Sequence, residues 1–413
     1  MTAPSQLKIL QIIHFYHTGG LEQLALRLGQ AIKERGHQSH VLALEPGPMR
    51  KRFHEAGITT HCAMRPSGFS PRFLFQLSTF LARHRFDIVH THHISPMLYG
   101  APAGRLSGAS IVHTTHSNEH LHPPEHSTDP AAASRSYRSM FQWLSKSCDH
   151  IATVNENLRD FLVQDMHVGT QVSAIPNGVD ANVFSGQHNT KELLQELGIP
   201  KDEPWLGVVG RLAPEKGHNV LLEALPKLKA PFHLLIVGDG QLRDELQSKV
   251  NELKLNERVH FLGLRNDLPV LFSAMDLLVL PSLREGLPLV ILEAMASGVP
   301  VLGSDVGSVA KVLQSSNAGV VVPPGDSEAL ATHLEHLLNH QGSLQEMSYS
   351  GQTWVKQNYN QTRMVDQYEA IYLKEVQDRH MVRRAASRIQ ASSLSLLHNL
   401  PFVGGPAMQS LEL

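Results

Sequence analysis

The sequence predicts an α/β protein made of two doubly wound, parallel-sheet domains that face a cleft. Three observations lead to this. A chain of 413 residues is longer than one ordinary core organises. Its start reads as strand, glycine loop, helix, strand, the unit from which parallel sheets are built. The same pattern begins afresh near "PWLGVVGRL", past the middle of the chain.

The elements follow in order. Leu7 to Ile13 is a short apolar strand, and "HFYHTGG" is the loop after it. "LEQLALRLGQAIKERG" has helical spacing and a stop at Gly36, and "HQSHVLAL" returns to strand. Later strands are expected at Phe86 to His92, at Ala109 to Ser117, near Ile151 and near Val172. Asp180 to Thr190 is polar and turn-rich and reads as a linker. Beyond it, strands are expected in "PWLGVVGRL", "FHLLIVGDG", "VHFLG", "DLLVLPS" and "VPVLGSD". The expected organisation is a first domain over 1–185, a second over 192–360, a helix over 361–380 crossing back, and a basic then apolar tail over 381–413. "WVKQNYNQTRMVDQYEAIYLKEV" reads as one helical stretch.

Composition narrows the function. With 42% hydrophobic and 18% charged residues and a formal charge of -2, no global field selects nucleic acid. Only Cys62 and Cys148 are present, too few for a disulfide framework, so a reducing, cytoplasmic setting is expected. No signal peptide or membrane-length apolar run is read. The chain has neither G-x-G-x-x-G nor G-x-x-x-x-G-K-[ST], which weighs against a dehydrogenase or an NTPase. Between Gly47 and His113 there are eight Arg or Lys and two acids, with aromatics between them in "SPRFLFQLSTFLARHRF". That stretch is either a solvated basic face or a patch that rests on anionic lipid at the side of a membrane.

The most telling segment is "REGLPLVILEAMASG", Arg284 to Gly298. Proline is tolerated in a first helical turn, so a helix is expected to start near Pro288 and end near Gly298. Glu285 then lies on the entering loop and Glu293 on the helix. Backbone N–H groups from Gly286 through Leu287, Pro288 and Leu289 border an anion site, Pro288 itself contributing none. Glu293 beside it suits sugar hydroxyls. Phosphate on backbone with a hydroxyl on an acid describes a nucleotide; either glutamate alone reads better as part of a helix cap or as a satisfied surface acid, and the surrounding motifs shift the balance. Arg211 and Lys216 follow a buried-looking strand, at the mouth of an α/β cleft, where they could clamp a diphosphate. Asp239 in "VGDG" reads equally as a helix cap or a ligand contact.

In the first domain, Gly19 and Gly20 let backbone approach a ligand after the first strand. Glu22 reads as a first-turn acid favoured by the helix dipole. "HTTHSNEHLHPPEH" holds His113, His116, His120, His122 and His126 at irregular spacing, with no H-E-x-x-H, so no metal is expected. His116 sits just past a strand, as a sugar-binding histidine or a loop histidine tied to backbone. His90, His92 and His93 could line an acceptor pocket. Asn177 and Gly178 look like a turn supporting the cleft.

Taken together, these motifs resemble glycosyltransferase family 4, the retaining enzymes of GT-B fold, from about Leu7 to Tyr372. Glu285 to Glu293 looks like that family's glutamate, seven residues, glutamate motif. "GRLAPEKG", "VGDG", "LVLPSLREGLP", "EAMASGVPV" and "IPNGVD" follow its pattern in order. The resemblance implies that Arg211 and Lys216 hold the donor's diphosphate and that Glu293 binds ribose. It implies Glu285 and His116 beside the transferred sugar, and Gly19 and Gly20 beside the phosphates. It further implies a retained anomeric configuration, a nucleotide-diphosphate sugar as donor, and no metal cofactor. After "GSDVG" the chain departs from the pattern with "SVAKVL", where Ser308 and Ala310 stand in the loop near the sugar. The expected activity is transfer of a hexose or N-acetylhexosamine, from a UDP-sugar in preference to a GDP-sugar, to a lipid-linked or polysaccharide-precursor glycan. The rivals are a UDP-N-acetylglucosamine 2-epimerase-like hydrolysing enzyme and an inactive nucleotide-sugar-binding relic.

Overall fold

The computed structural model describes residues 6–16, 19–116, 130–186, 188–199 and 203–398, and the side chains of these except 130–134 and 383–398. Seven strands form the first sheet: β1 (Lys8–Phe15), β2 (Gln38–Glu45), β3 (Thr59–Cys62), β4 (Ile88–His92), β5 (Ser110–Thr115), β6 (His150–Thr153) and β7 (Gln171–Ala174). Six form the second: β8 (Trp205–Val209), β9 (His233–Val237), β10 (Val259–Gly263), β11 (Leu277–Leu280), β12 (Val301–Ser304) and β13 (Gly319–Val322). Their orders are β3-β2-β1-β4-β5-β6-β7 and β10-β9-β8-β11-β12-β13. Every pairing is parallel. Every residue of β4, β5, β9 and β11 is buried, as a sheet covered on both faces requires.

Each order reverses once, between β1 and β4 and between β8 and β11. At such a switch point the loops leaving two neighbouring strands part, and a crevice opens at their C-terminal ends. The loops carrying Gly19–Gly20, His93, Arg211–Lys216 and Pro281–Glu285 all leave these four strands. This is why residues scattered along the chain belong to one cleft.

Several elements differ from the sequence reading. Edge strands β3 and β13 were not foreseen: "TTHC" is polar and "GVVV" opens on a glycine, so neither reads as a buried strand. The expected linker contains a short helix, Ala181–Phe184, whose N-terminus Asp180 caps by accepting from the Asn182 N–H at 3.0 Å. Phe184 is buried in the core that also holds Leu193 and Phe272. The C-terminal helical stretch is two helices, Gln341–Asn358 and Gln361–His398, broken at Tyr359–Asn360. At the break, Tyr359 O accepts from the Val179 N–H at 2.8 Å and Val179 O accepts from the Gln361 N–H at 3.2 Å. Asn360 caps the second helix through the Thr362 N–H at 2.7 Å. A side chain on Gly178 would stand 2.5 Å from Gln361 Cα, so the two chain crossings between domains touch here.

The terminal helix packs Met364, Val365, Tyr368, Tyr372 and Val376 against Leu7, Ile9, Leu24, Leu28 and Ile88 of the first domain. Full burial of side chains this size contributes about 2–3 kcal/mol each. Arg35 and His37 tie it further, to Asp366 and Glu369. The helix continues through His398, where a tail was expected from 381. No Gly or Pro interrupts 377–398, and Pro401 is the first breaker beyond it. Both cysteines are free thiols. Among the described residues, no helix is long and apolar enough to cross a membrane.

Candidate functional site

The second domain's half of the site rests on interlocked glycine turns. A side chain at Gly238, whose φ is 142°, would lie 1.8 Å from Gly210 O, and one at Gly240 would lie 2.4 Å from Leu212 O. Gly210 N donates to Val237 O at 2.9 Å and Leu212 N to Asp239 O at 3.0 Å. "VGDG" therefore clamps the loop that carries Arg211. The Asp239 carboxylate serves its own turn, accepting from the Gly240 N–H at 2.8 Å and lying 3.6 Å from Arg243.

The loops after β8 and β11 are joined as well. Gly217, at φ 65°, leaves no room for a side chain beside Pro281 O, and Leu283 N donates to Glu215 O at 2.8 Å. Lys216 Nζ thereby meets Glu285 Oε1 at 2.7 Å, and Ser282 Oγ donates to the same oxygen at 2.8 Å. Arg211 pairs with Glu215 at 2.5 Å and stays more than half exposed. Glu285 is further fixed from behind. Gly307, at φ 55°, sits so close that its Cβ would be 2.1 Å from Glu285 O, and Ser308 N donates to Gly286 O at 2.9 Å.

The helix expected from Pro288 to Gly298 runs Leu289–Ala296, with Pro288 at its N-cap and no side chain capping it. Leu287 and Leu289 are buried. Glu293 is buried too, and its carboxylate pairs with Arg27 from the helix Gly20–Glu34 of the first domain. Arg27 also lies over the Phe184 ring, 5.7 Å from its centroid. The sequence reading did not single out Arg27. Its trace was a lone cation inside the otherwise apolar "LALRLG".

Further contacts cross the cleft. Asn155 Nδ2 donates to Ser308 Oγ at 3.0 Å, so the departure from the family pattern at Ser308 sits at a domain contact. Asn177 Nδ2 donates to Leu287 O at 3.5 Å, and its buried Oδ1 has no hydrogen-bond partner. Glu22 stands in the first turn of its helix, as expected, and is 4% exposed. Burial raises its pKa to about 7, against its own backbone N–H and the Arg211 charge, which both lower it. Gly19 is the N-cap of its helix, pressed against the Glu22 carboxylate, and Gly20 has open space around it.

The histidines of β4 and β5 form a buried network. His90 contacts Tyr372 Oη at 2.6 Å and Thr114 Oγ1 at 2.7 Å. His92 contacts Gln11 at 3.0 Å and His116 at 3.2 Å. His93 has φ 79°, a conformation rare for a side-chain-bearing residue and a mark of functional loops. His116 is half-buried at the end of β5. His120, His122 and His126 lie outside the described residues. Among the described residues, no group of three His, Cys, Asp or Glu is placed to hold a metal ion.

Two parallel-sheet domains facing a cleft are the architecture of a glycosyltransferase of GT-B fold. The chain belongs to glycosyltransferase family 4: residues 18–183 match the model described as Glycosyltransferase Family 4, and residues 189–354 match Glycosyl transferases group 1. It is similar to the Escherichia coli UDP-Gal:alpha-D-GlcNAc-diphosphoundecaprenol alpha-1,3-galactosyltransferase, at 25% identity over 90% of this chain and 98% of that one. It is 26% identical to the Bacillus anthracis N-acetyl-alpha-D-glucosaminyl L-malate synthase, over 87% of this chain and 95% of that one. Among solved structures, Anabaena Alr3699/HepE in complex with UDP and glucose shares the fold, with a TM-score of 0.75, 22% identity, and coverage of 88% of this chain and 99% of that one.

Proposed function

We propose that the enzyme transfers a hexose or N-acetylhexosamine, with retention, from a UDP-sugar to a hydroxyl of a lipid-linked or polysaccharide-precursor glycan. The observation that carries the reading is the arrangement of Lys216, Ser282 and Glu285 at one switch point, with Glu293 on the helix that follows.

In this reading Arg211 and Lys216 hold the diphosphate, with backbone of Gly19 and Gly20 approaching it from the other domain. Glu293 accepts hydrogen bonds from the ribose hydroxyls. Glu285, held by Lys216 and Ser282, accepts from hydroxyls of the sugar, and His116 contacts that sugar from the first domain. Backbone from Gly286 to Leu289 surrounds the same group. Asp239 keeps the Arg211 loop in place. The bond from the anomeric carbon to the phosphate oxygen breaks, and a bond to the acceptor oxygen forms on the same face. The acceptor proton passes to a phosphate oxygen of the departing diphosphate. Arg211, Lys216 and helix N–H groups offset the charge that develops there, and domain closure excludes water.

The UDP preference draws on the Escherichia coli relative, named for UDP-Gal, and on the Anabaena complex with UDP. The acceptor argument comes from this chain's surface, since the two relatives are named for different acceptors. Met64, Phe69 and Phe75 are 71%, 60% and 73% exposed, an apolar set that suits a lipid surface, with Arg72 exposed among them.

The test is to incubate purified protein with UDP- and GDP-sugars separately, with and without a membrane lipid extract, against a Glu293→Ala control. Turnover of a UDP-sugar that rises with extract and falls in the control is expected. Free sugar released regardless of extract would point to hydrolysis, and turnover of GDP-sugars alone would overturn the donor. Co-sedimentation with anionic liposomes checks the membrane face; absence from both anionic and neutral pellets refutes it.

A further inference from the structure

The C-terminal edge of the first sheet carries a polar set that donor binding leaves unused. His14 stands at the end of β1, Glu45 at the end of β2, and Arg65 just past β3. Phe15 and Glu45 lie side by side in the register of β1 and β2, and Arg65 N donates to Leu44 O at 3.0 Å. On its other side β1 pairs with β4, and the ring of His93, just past β4, stacks on that of His14 at 6.1 Å. The set therefore borders the switch point between β1 and β4, where an α/β crevice takes its ligands.

All three side chains are half-buried and their mutual bonds are loose. His14 Nε2 meets Glu45 Oε1 at 3.2 Å, and Arg65 Nη2 lies 3.7 Å from the same oxygen. A carboxylate only accepts, so His14 gives its Nε2–H to Glu45. Burial, opposed by Glu45 and aided by Arg65, lowers the His14 pKa, so the ring is neutral and its Nδ1 is an acceptor. Arg65 brings five N–H donors, and Glu45 is the one acid it pairs with among the described residues. A pair that only pins loops together is built otherwise: Arg265 donates to Glu196 and Asp267 at 2.5, 3.2, 2.9 and 2.7 Å. The surface beside Arg65 is apolar, with Met64 before it and Phe69 and Phe75 after it, all exposed.

We propose that His14, Glu45 and Arg65 form the acceptor subsite: Glu45 and His14 Nδ1 accept hydrogen bonds from hydroxyls of the acceptor sugar, and Arg65 holds the phosphate that links this sugar to its lipid. The inference rests on the reading of the chain as a transferase to a lipid-linked glycan. Such an acceptor presents lipid, phosphate and sugar in that order. The surface presents exposed apolar side chains, a guanidinium, then a carboxylate with an imidazole. Guanidinium N–H groups take phosphate oxygens in pairs, and a carboxylate and a neutral imidazole suit hydroxyls.

The full chain carries the test, with UDP-sugars as donors and a detergent-dispersed membrane lipid extract as acceptor source. Glu45→Gln and Arg65→Met are expected to raise the half-saturating extract concentration roughly 10-fold, and His14→Ala roughly 5-fold, with the donor KM unchanged. Glu45→Gln separates this from plain attraction to anionic lipid. Removing an acid strengthens such attraction, so a lower half-saturating concentration in that variant overturns the proposal. Unchanged acceptor saturation in Glu45→Gln and Arg65→Met overturns it too, as does a donor KM that rises in parallel. Glu45→Gln, which keeps the shape of the side chain, decides if His14→Ala does not fold. Mild acid cleaves a sugar from an anomeric phosphate faster than from a glycosidic oxygen. Extract so treated is expected to lose its acceptor activity; if it keeps that activity, Arg65 holds no such phosphate and the proposal falls. A wild-type protein that transfers nothing from any UDP-sugar to the extract sinks the transferase reading and this inference together. Transfer by the wild type with wild-type acceptor saturation in the variants sinks the inference alone.

Discussion

The Arg27–Glu293 pair joins two domains, and its removal is predicted to expose how strongly they are coupled. The two side chains retain 19% and 6% of their exposure, so solvent screens them little. Two unit charges about 4 Å apart attract by about 4 kcal/mol at an effective dielectric near 20. Desolvation cancels much of that, but deleting one partner of a buried pair leaves the other uncompensated, at about 3–5 kcal/mol. Here the loss has a ceiling: the cleft can open and hydrate the lone charge, so the observed penalty cannot exceed the cost of opening. The assay is a double-mutant cycle of Arg27→Met, Glu293→Gln and both together, read by urea denaturation. Arg27→Met keeps the stem that lies over Phe184 and removes the charge. Each single variant is expected to lose about 2–3 kcal/mol, and the double clearly less than their sum, with a coupling of about 1–3 kcal/mol. Saturating UDP should shrink the coupling, because the ribose is proposed to use the same carboxylate. Additivity within about 0.5 kcal/mol without nucleotide would mean that the pair does not bridge the domains in solution.

Other outcomes follow from the same geometry. Burial raises the folded pKa of Glu22 to about 7 from its ordinary value of 4.5, so the folded state binds the extra proton between these values, and stability falls as pH rises through that window. Glu22→Gln should therefore gain about 3 kcal/mol over wild type at pH 8 and show a flatter urea midpoint between pH 4.5 and 7; equal slopes refute the assignment. His218 runs the opposite way. Its pKa is lowered to about 4 by burial first and then by Lys216, with Glu215 opposing, so stability falls as pH drops below 6.5. Both its ring nitrogens are buried without partners, so His218→Leu should be about 2 kcal/mol more stable than wild type at pH 5, less so at pH 7, and a variant weaker at both values contradicts this. Gly307→Ala would drive a Cβ into Glu285 O and Gly286 O, 2.1 and 2.5 Å away, and should lower kcat/KM at least ~10-fold through loop displacement. Near-wild-type kcat/KM in that variant would show that the loop is not held as described.

What was legible in the sequence was what repeats or what sits at strand ends. β8, β9 and β11 are largely apolar runs followed by glycine or polar loops, so both the sheet and the residues at its mouth could be read locally. Edge strands such as β13 are paired along one edge only and stay mostly half-buried, so they blur into loop. The break at Tyr359–Asn360 was hidden because both flanks are helical, and what ends the first helix is pairing with Val179, far away in sequence. Arg27 was hidden for the same reason: its partner is 266 residues on. "VGDG" read equally as a turn or a ligand contact, and its clamping of the Arg211 loop was hidden, because a glycine's need for space cannot be known before its neighbour is. The burial of Glu22 could not be read either, because the position of an acid in a first turn does not tell which way the turn faces.

The seam at Gly178–Val179 and Asn360–Gln361 has a mechanical consequence. A protein with two widely separated connections between halves would resist rotation like a panel fixed at both edges. Here the outgoing and returning strands of the chain lie side by side, bonded through Val179 to Tyr359 and Gln361. The helix before the seam packs with the second domain and the helix after it with the first. Any rotation that widens the cleft must be taken up by the same few backbone angles. The moving half therefore swings about one narrow line, and small changes there become large displacements where Arg27 meets Glu293 and Asn155 meets Ser308.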